Sequence, residues 1–488
     1  MLRPHTAALA AALGLVLAGA AHAQGDRPSS FAHDPYPSTY ERIASPAVLI
    51  HGATVLTGTG ERLEGADVLM ADGRIVQVGR GLSLPAGATR IDGSGKWVTP
   101  GIIDIHSHLG VYPSPGTRSH SDGNEMTAPV TAAVWAEHSV WPQDPGFDAA
   151  RAGGVTSLQI LPGSANLIGG RGVTLKNVPA VSYQGMKFPD APWGLKMACG
   201  ENPKRVYGEK GGPATRMGNV AGYRAAFIDA AEYLKKNGQG DGDKTGASRK
   251  RGWWQSADSA GNGGKDKNGN GKRDLKLDTL AGAINGDILV HIHCYRADEM
   301  TTMLDLADEF GFKVAAFHHG VEAYKIADRL AASGTCAALW ADWWGFKMEA
   351  FDGIQENIAI VDRPANSCAI VHSDSDEGIQ RLNQEAAKVM AHARLAGIEI
   401  APERAIGWLT ANPARAMGIA ARTGTLEAGK MADVVLWNGN PFSVYAKAEQ
   451  VYVDGARVFD INDPSRQATS DFMLGQSAPG RAATGGVL

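Results

Sequence analysis

Two textures of hydrophobic and polar positions alternate along this chain. From Val48 to Val78 the apolar residues come in short strand-like runs separated by turns, and the stretch Asp67 to Val78 is centred on an Asp72-Gly73 pair, the signal of a tight hairpin. A second hairpin of the same kind, Gln450 to Phe459 around Asp454-Gly455, follows the apolar run Asp433 to Trp437. Together these stretches predict a small composite β-sandwich domain built from 47–100 and 424–470. Between them, over 101–423, strand-like runs alternate with helical ones, the pattern of βα units. In the clearest unit, Ile288 to His293 reads as a strand. Met300, Met303, Leu304, Ala307 and Phe310 then recur at helical spacing, Gly311 stops the helix, and Val314 to His319 forms the next strand. Thr335 to Trp340 and Cys368 to Asp374 continue the series. Eight such units in roughly 320 residues predict an α/β fold of the (β/α)8 TIM-like barrel type.

Three stretches depart from this texture. Asn237 to Lys276 is rich in Gly, Lys, Asp and Asn and cannot bury a core, so it is expected to be an exposed polar insertion. Within it, Asp266, Asn268, Asn270 and Gly271 match the opening of a calcium loop, but Leu277 stands where the bidentate Glu belongs, and a solvated loop is expected. Residues 476–488 read as a flexible tail. Met1 to Ala23 has the form of a secretory signal peptide: Arg3, an apolar run from Ala7 to Ala20, and a small-residue box at Ala21-His22-Ala23. This predicts an exported protein, periplasmic or secreted. No later segment is apolar enough for a membrane span. A net charge of -4 with scattered signs points away from nucleic acid and anionic membranes, toward a small-molecule or short-peptide substrate. Self-association as a homo-oligomer is compatible with this composition. The cysteines, Cys199, Cys294, Cys336 and Cys368, each fall in or beside a barrel strand and are expected to be free, buried thiols.

The chemistry concentrates at strand ends. Val98 to His108 delivers His106 and His108 two positions apart, hence on one face of a strand, where both imidazoles can grip one metal ion. His293 and His319 are about one βα unit apart and Asp374 about two units further, so all three fall at the strand C-termini where a parallel barrel places its site. His291 and His372 share faces with His293 and Asp374 one layer deeper and are expected to support the ligands. His318 is expected to face the outer helices because it neighbours His319. His120 and His138 read as surface residues. Gly424 to Lys430 has phosphate-loop spacing, but Met431 and a following strand exclude that use. No Gly-x-Ser-x-Gly elbow supports a serine hydrolase.

Several motifs in order resemble the amidohydrolase superfamily, in particular its imidazolonepropionase-like and prolidase-like branch. They are Thr99-Pro-Gly-Ile-Ile-Asp-Ile-His106-Ser-His108, Gly194 to Lys204, His293-Cys-Tyr-Arg-Ala-Asp-Glu299, His319-Gly320 and His372-Ser-Asp374. The stretches Leu409 to Arg415 and Gly424 to Val435 also fit. The resemblance implies one or two divalent metal ions of the zinc type held by His106, His108, His293, His319 and Asp374, with Asp374 also the acid and base. Such a metal lowers the pKa of its water to about 7. A bridging ligand in this superfamily is a Glu or a carboxylated Lys. Glu201 is expected, because it lies nearer the C-terminal end of its strand than Lys196, the alternative. Tyr295, Arg296, His291 and His372 are expected to support the ligands or touch substrate.

The function so implied is metal-dependent hydrolysis of an amide carbon–nitrogen bond, in dipeptides or Xaa-Pro peptides first, then in cyclic amides or N-acyl compounds. A non-catalytic binding protein on the same fold is the reading from a different class. Because the insertion precedes the strand of His293, it belongs to the barrel end opposite the metal. Replacing Gly240 to Gly271 by a short linker is expected to leave turnover of a small amide nearly unchanged in a steady-state assay. A large loss in folded, metal-loaded protein would place the insertion at an active site.

Overall fold

The computed structural model describes residues 31, 33–237 and 273–463. The expected leader, most of the polar insertion with its Asp266 to Gly271 motif, and the tail lie outside the described residues. Asp274, the last acidic residue of that stretch, is described, and it has another task. Its carboxylate caps the helix Leu275–Asn285, accepting from the amides of Lys276 and Leu277. No helix among the described residues is long and apolar enough to cross a membrane.

Five strands open the fold: β1 (Val48–Leu56), β2 (Arg62–Ala71), β3 (Arg74–Gly79), β4 (Thr89–Asp92) and β5 (Trp97–Pro100). Eight build the barrel: β6 (Ile102–Ser107), β7 (Val155–Ile160), β8 (Ile168–Lys176), β9 (Gly194–Ala198), β10 (Leu289–His293), β11 (Val314–His318), β12 (Cys336–Leu339) and β13 (Ala369–Val371). Three close the chain: β14 (Val434–Trp437), β15 (Ala448–Val453) and β16 (Ala456–Asp460).

The first and last groups form one sheet, in the order β16-β15-β14-β5-β1-β2-β3 with β4 beside β1, so both ends of the chain contribute to it. Its buried core is shared between them, through Val55, Val68 and Val98 from one end and Val434, Leu436 and Tyr452 from the other. Both Asp-Gly hairpins are present, and both residues of each turn, Asp72 and Gly73, Asp454 and Gly455, take the positive φ that such turns require. A buried lysine fastens this sheet to the barrel. Lys176 of β8 reaches Asp433 at 3.4 Å and Asp454 at 2.9 Å.

The barrel strands run in the order β6 to β13. One strand departs from the eight parallel units expected: β8 is antiparallel to both β7 and β9. The connection from Ile160 to Ile168 is too short for a crossover helix, and only a reversal of direction fits so few residues. The helix Ala297–Phe310 buries Met300, Met303, Leu304 and Ala307 and ends at Gly311 in a left-handed conformation, as its apolar spacing predicts. β13 and β6 meet without a regular ladder, joined by the Asp374 amide donating to the His106 carbonyl at 3.1 Å and by Ser373 bonded to Asp104.

The cysteines correct the sequence reading. Cys199 is bonded to Cys294 and Cys336 to Cys368, and no cysteine is free. Each pair flanks adjacent parallel strands whose register sets their Cα atoms 5.2 and 4.5 Å apart, within disulfide range. Being fixed beside one another by the sheet favours the bond rather than preventing it. Non-reducing peptide mapping is expected to recover both bridges. Replacing Cys336 and Cys368 together by Ala should cost about 2–5 kcal/mol in chemical denaturation.

Candidate active site

The candidate ligand residues lie at the C-terminal ends of the barrel strands, where His106 near the end of β6 and His108 just beyond it both turn into the mouth. Their Nε2 atoms are 3.3 Å apart. Asp374, just beyond β13, closes on both: its Oδ1 is 3.4 Å from His106 Nε2 and 3.1 Å from His108 Nε2, and its Oδ2 is 3.5 Å from His319 Nε2. One ligand atom from each of His106, His319 and Asp374 lies within 4.8 Å of the others. His293 lies beside them, its ring 4.9 Å from that of His319 and its Nε2 facing the Asn202 amide at 3.3 Å. His319 and Asp374 both have positive φ, 60° and 54°. Non-glycine residues in this conformation carry strain that the surroundings must impose, and such strain clusters at functional sites.

Burial decides the protonation of these groups. It pushes His106, His293 and His319 well below the ordinary histidine value, and the charge on Lys196 adds to the effect, so the imidazoles are neutral and keep a lone pair for a metal. For Asp374 burial acts the other way, but the hydrogen bond and charge of His108 outweigh it and hold the carboxyl below its usual range. Neutral imidazoles converging on an ionised carboxylate fit a divalent metal of the zinc type.

A second layer holds the first. His108 Nδ1 meets the Leu161 carbonyl at 2.9 Å, His319 Nδ1 meets His372 Nε2 at 3.1 Å, and His106 Nδ1 meets His318 Nδ1 at 2.9 Å. His318 therefore faces the barrel interior, contrary to the outward orientation expected from strand alternation. β11 ends at His318, and the left-handed turn at His319 brings both side chains inward. His291 lies deeper and bonds His318 at 3.0 Å. Asp104 is fully buried, accepts from Ser373 Oγ and from the amides of Ser373 and His106, and is pushed by burial up to about 7. It sits two residues before His106 on the same strand face, so alternation alone could have found it.

The structure separates the two candidate bridging residues. Lys196 is buried on β9 with its Nζ 3.2 Å from His106 Nε2, and burial pushes it down to about 7. Glu201 begins the helix Glu201–Tyr207 after the left-handed Gly200; its side chain is 34% exposed and lies 3.8 Å from Lys347. Lys347 comes from the loop after β12, a position with no signal in the sequence. It donates to Asn202 at 3.1 Å and stands over the Tyr295 ring at 4.5 Å. The Tyr295 ring also packs on His293 at 4.7 Å, and Trp340 stacks on His319 at 4.4 Å. Arg296 turns away to pair with Asp298 at 2.9 Å. His120 packs on Trp141 and His138 on Trp135, outside the cluster.

Comparison with known proteins places this arrangement. A model of the amidohydrolase family matches residues 372–459. The crystal structure of an amidohydrolase from Thermotoga maritima MSB8 is 34% identical and superposes with a TM-score of 0.72, covering 85% of this chain and 100% of that one. The amidohydrolase tasK of Hapsidospora irregularis is 32% identical over 439 residues, 85% of this chain, which spans 42% of the length of that relative. An imidazolonepropionase of Mesorhizobium japonicum is 26% identical over 84% of this chain and 94% of its own length. With 34% identity sustained over the full length of the Thermotoga chain, this protein belongs to the amidohydrolase family.

Proposed function

We propose that this protein is a metal-dependent hydrolase of amide carbon–nitrogen bonds whose substrates are dipeptides, including Xaa-Pro peptides. The observation that carries the reading is the convergence of His106, His319 and Asp374 within 4.8 Å at a barrel mouth. A divalent metal held there with His108 and His293 supplies Lewis-acid polarisation of a carbonyl and acidification of water. Asp374, ionised and open to the mouth, takes a proton from the attacking water at its carboxylate and returns it to the leaving nitrogen. Trp340 and Tyr295 wall the ligands and limit access of bulk water. Lys347 offers a half-buried cation at the rim for a substrate carboxylate, which favours peptides and N-acyl amino acids. Likeness to an imidazolonepropionase over 84% of this chain supports cyclic amides as the second reading. The two disulfides support an oxidising compartment and hence export.

For the further ligand we propose Lys196, whose Nζ lies 3.2 Å from His106 Nε2, in place of Glu201. Its neutral amine adds carbon dioxide to form a carbamate, with release of one proton, and so carries a carboxylate into the space between the ligands. Glu201 instead heads its helix with its carboxylate 3.8 Å from Lys347.

Purified protein is expected to hold one to two equivalents of a divalent metal, roughly, by elemental analysis, and to hydrolyse members of a dipeptide, N-acyl amino acid or lactam library. Chelation should abolish turnover and metal should restore it. Asp374→Asn should lower kcat by about 10²–10⁴-fold. Metal-loaded protein that turns over no member of these libraries would favour a binding role instead.

Lys196→Ala is expected to lose metal and activity while Glu201→Gln retains both; the reverse pattern would restore Glu201 as the bridge. Since the Lys196 amine is protonated below about 7, bicarbonate-dependent metal loading of the stripped protein should be greater above pH 7 than below it. Equal loading on both sides would argue against the carbamate.

A further inference from the structure

Three of the buried histidines are linked end to end. His106 Nδ1 lies 2.9 Å from His318 Nδ1, and His318 Nε2 lies 3.0 Å from His291 Nδ1. All three are buried. A neutral imidazole has one donor and one acceptor nitrogen, so each contact can hold only one proton, and the direction of the chain is set by whichever end is fixed.

The mouth fixes it. His106 Nε2 faces His108, Asp374 and Lys196, so with a metal in the cluster this atom is the ligand and the proton of His106 must be on Nδ1. His318 Nδ1 then has to accept, which puts its own proton on Nε2. His291 Nδ1 accepts in turn, leaving a proton on His291 Nε2. That last atom is buried with no partner among the described residues.

Other buried polar groups are also unsatisfied among the described residues. Both amide atoms of Gln159, Ser157 Oγ and Thr174 Oγ1 are buried without partners. Ser157 and Gln159 alternate onto one face of β7, and Thr174 pairs with Gln159 across the ladder. Gly194 lets Gln159 and His291 close over its backbone: a Cβ there would meet Gln159 Nε2 at 2.9 Å and His291 Cδ2 at 3.0 Å, so the Gln159 amide stands near the far end of the His291 ring.

We propose that His318 and His291 are positioning residues that hold His106 in its metal-binding tautomer, through a one-way hydrogen-bond chain that runs from His106 through His318 to His291. Metal-bound histidines are commonly oriented by a carboxylate or a backbone carbonyl, as His108 is by Leu161. His106 is oriented instead by a second imidazole, which can serve only if a third accepts the proton that the second must carry on its far nitrogen. The inference rests on the reading that His106 Nε2 ligates a metal.

The test uses zinc-loaded full-length protein with ¹⁵N-labelled histidine, in which long-range ¹H–¹⁵N correlations identify the protonated nitrogens. His318 and His291 are both expected to carry the proton on Nε2, and a proton on His318 Nδ1 would overturn the proposal. Chelator competition for zinc adds a second measurement. His318→Phe keeps the bulk but removes the acceptor and should weaken zinc binding by about 10–100-fold, whereas His318→Asn offers an oxygen in place of Nδ1 and should recover most of it. Equal weakening by Phe and Asn would mean that the residue only fills space, and unchanged affinity in both would mean that the chain does not orient His106; either result overturns the proposal. If parent protein takes up no zinc, the metal-site reading falls and the relay with it. Zinc uptake with the wrong His318 tautomer defeats the relay alone.

Discussion

The junction between the first and last barrel strands is the contact on which the rest of the site depends. Asp104 and Ser373 are far apart in sequence, yet the buried carboxylate of one accepts both the hydroxyl and the amide of the other, together with the amide of His106. That contact closes the barrel where the β13–β6 ladder is incomplete. It also sets the distance between His106 on one side of the seam and Asp374 on the other. A metal-binding pair drawn from the two ends of a long domain needs such a fastening, because an error of an ångström at the seam would separate the donors.

Above and below this junction the barrel interior is polar to an unusual depth. His106, His291, His318, His319 and His372 are all buried, and Lys196 is buried with them. Burial would be costly if these groups were charged, and it is relieved by neutrality and by their bonding to one another. The same burial thus keeps lone pairs free on the imidazoles and pulls the Lys196 amine down to about 7. The strain at His319 and Asp374 is imposed by the same packing. The second sheet adds rigidity from outside, since Lys176 reaches out of a barrel strand to two aspartates of the closing segments.

Lys347 shows how much of the mouth comes from loops. It is carried by the segment after β12, yet it lies against Asn202, Glu201 and Tyr295 from two other strand ends. Substrate selection at such a rim is a property of how loops meet, which is why one barrel can serve many amides.

The sequence by itself determined the elements and the candidate ligand positions that depend only on local periodicity. Period-two alternation placed His106 and His108 together, βα spacing put His293, His319 and Asp374 at strand ends, and Asp-Gly pairs located both hairpins. Tertiary structure decided whatever depends on the relation between strands. The cysteines were legible as strand-end residues, but the register of β9 with β10 and of β12 with β13 is what brings them within bonding distance. Alternation predicted an outward His318, and it failed because the backbone turns left-handed at the next residue, a choice made by the packing around His319. Rank along the strand favoured Glu201 over Lys196. The tertiary structure sets Lys196 Nζ 3.2 Å from His106 Nε2 and Glu201 3.8 Å from Lys347, neither of which strand rank gives. The direction of β8 was likewise hidden, since a short apolar strand reads the same whichever way it runs, and only its neighbours' hydrogen bonds distinguish the two.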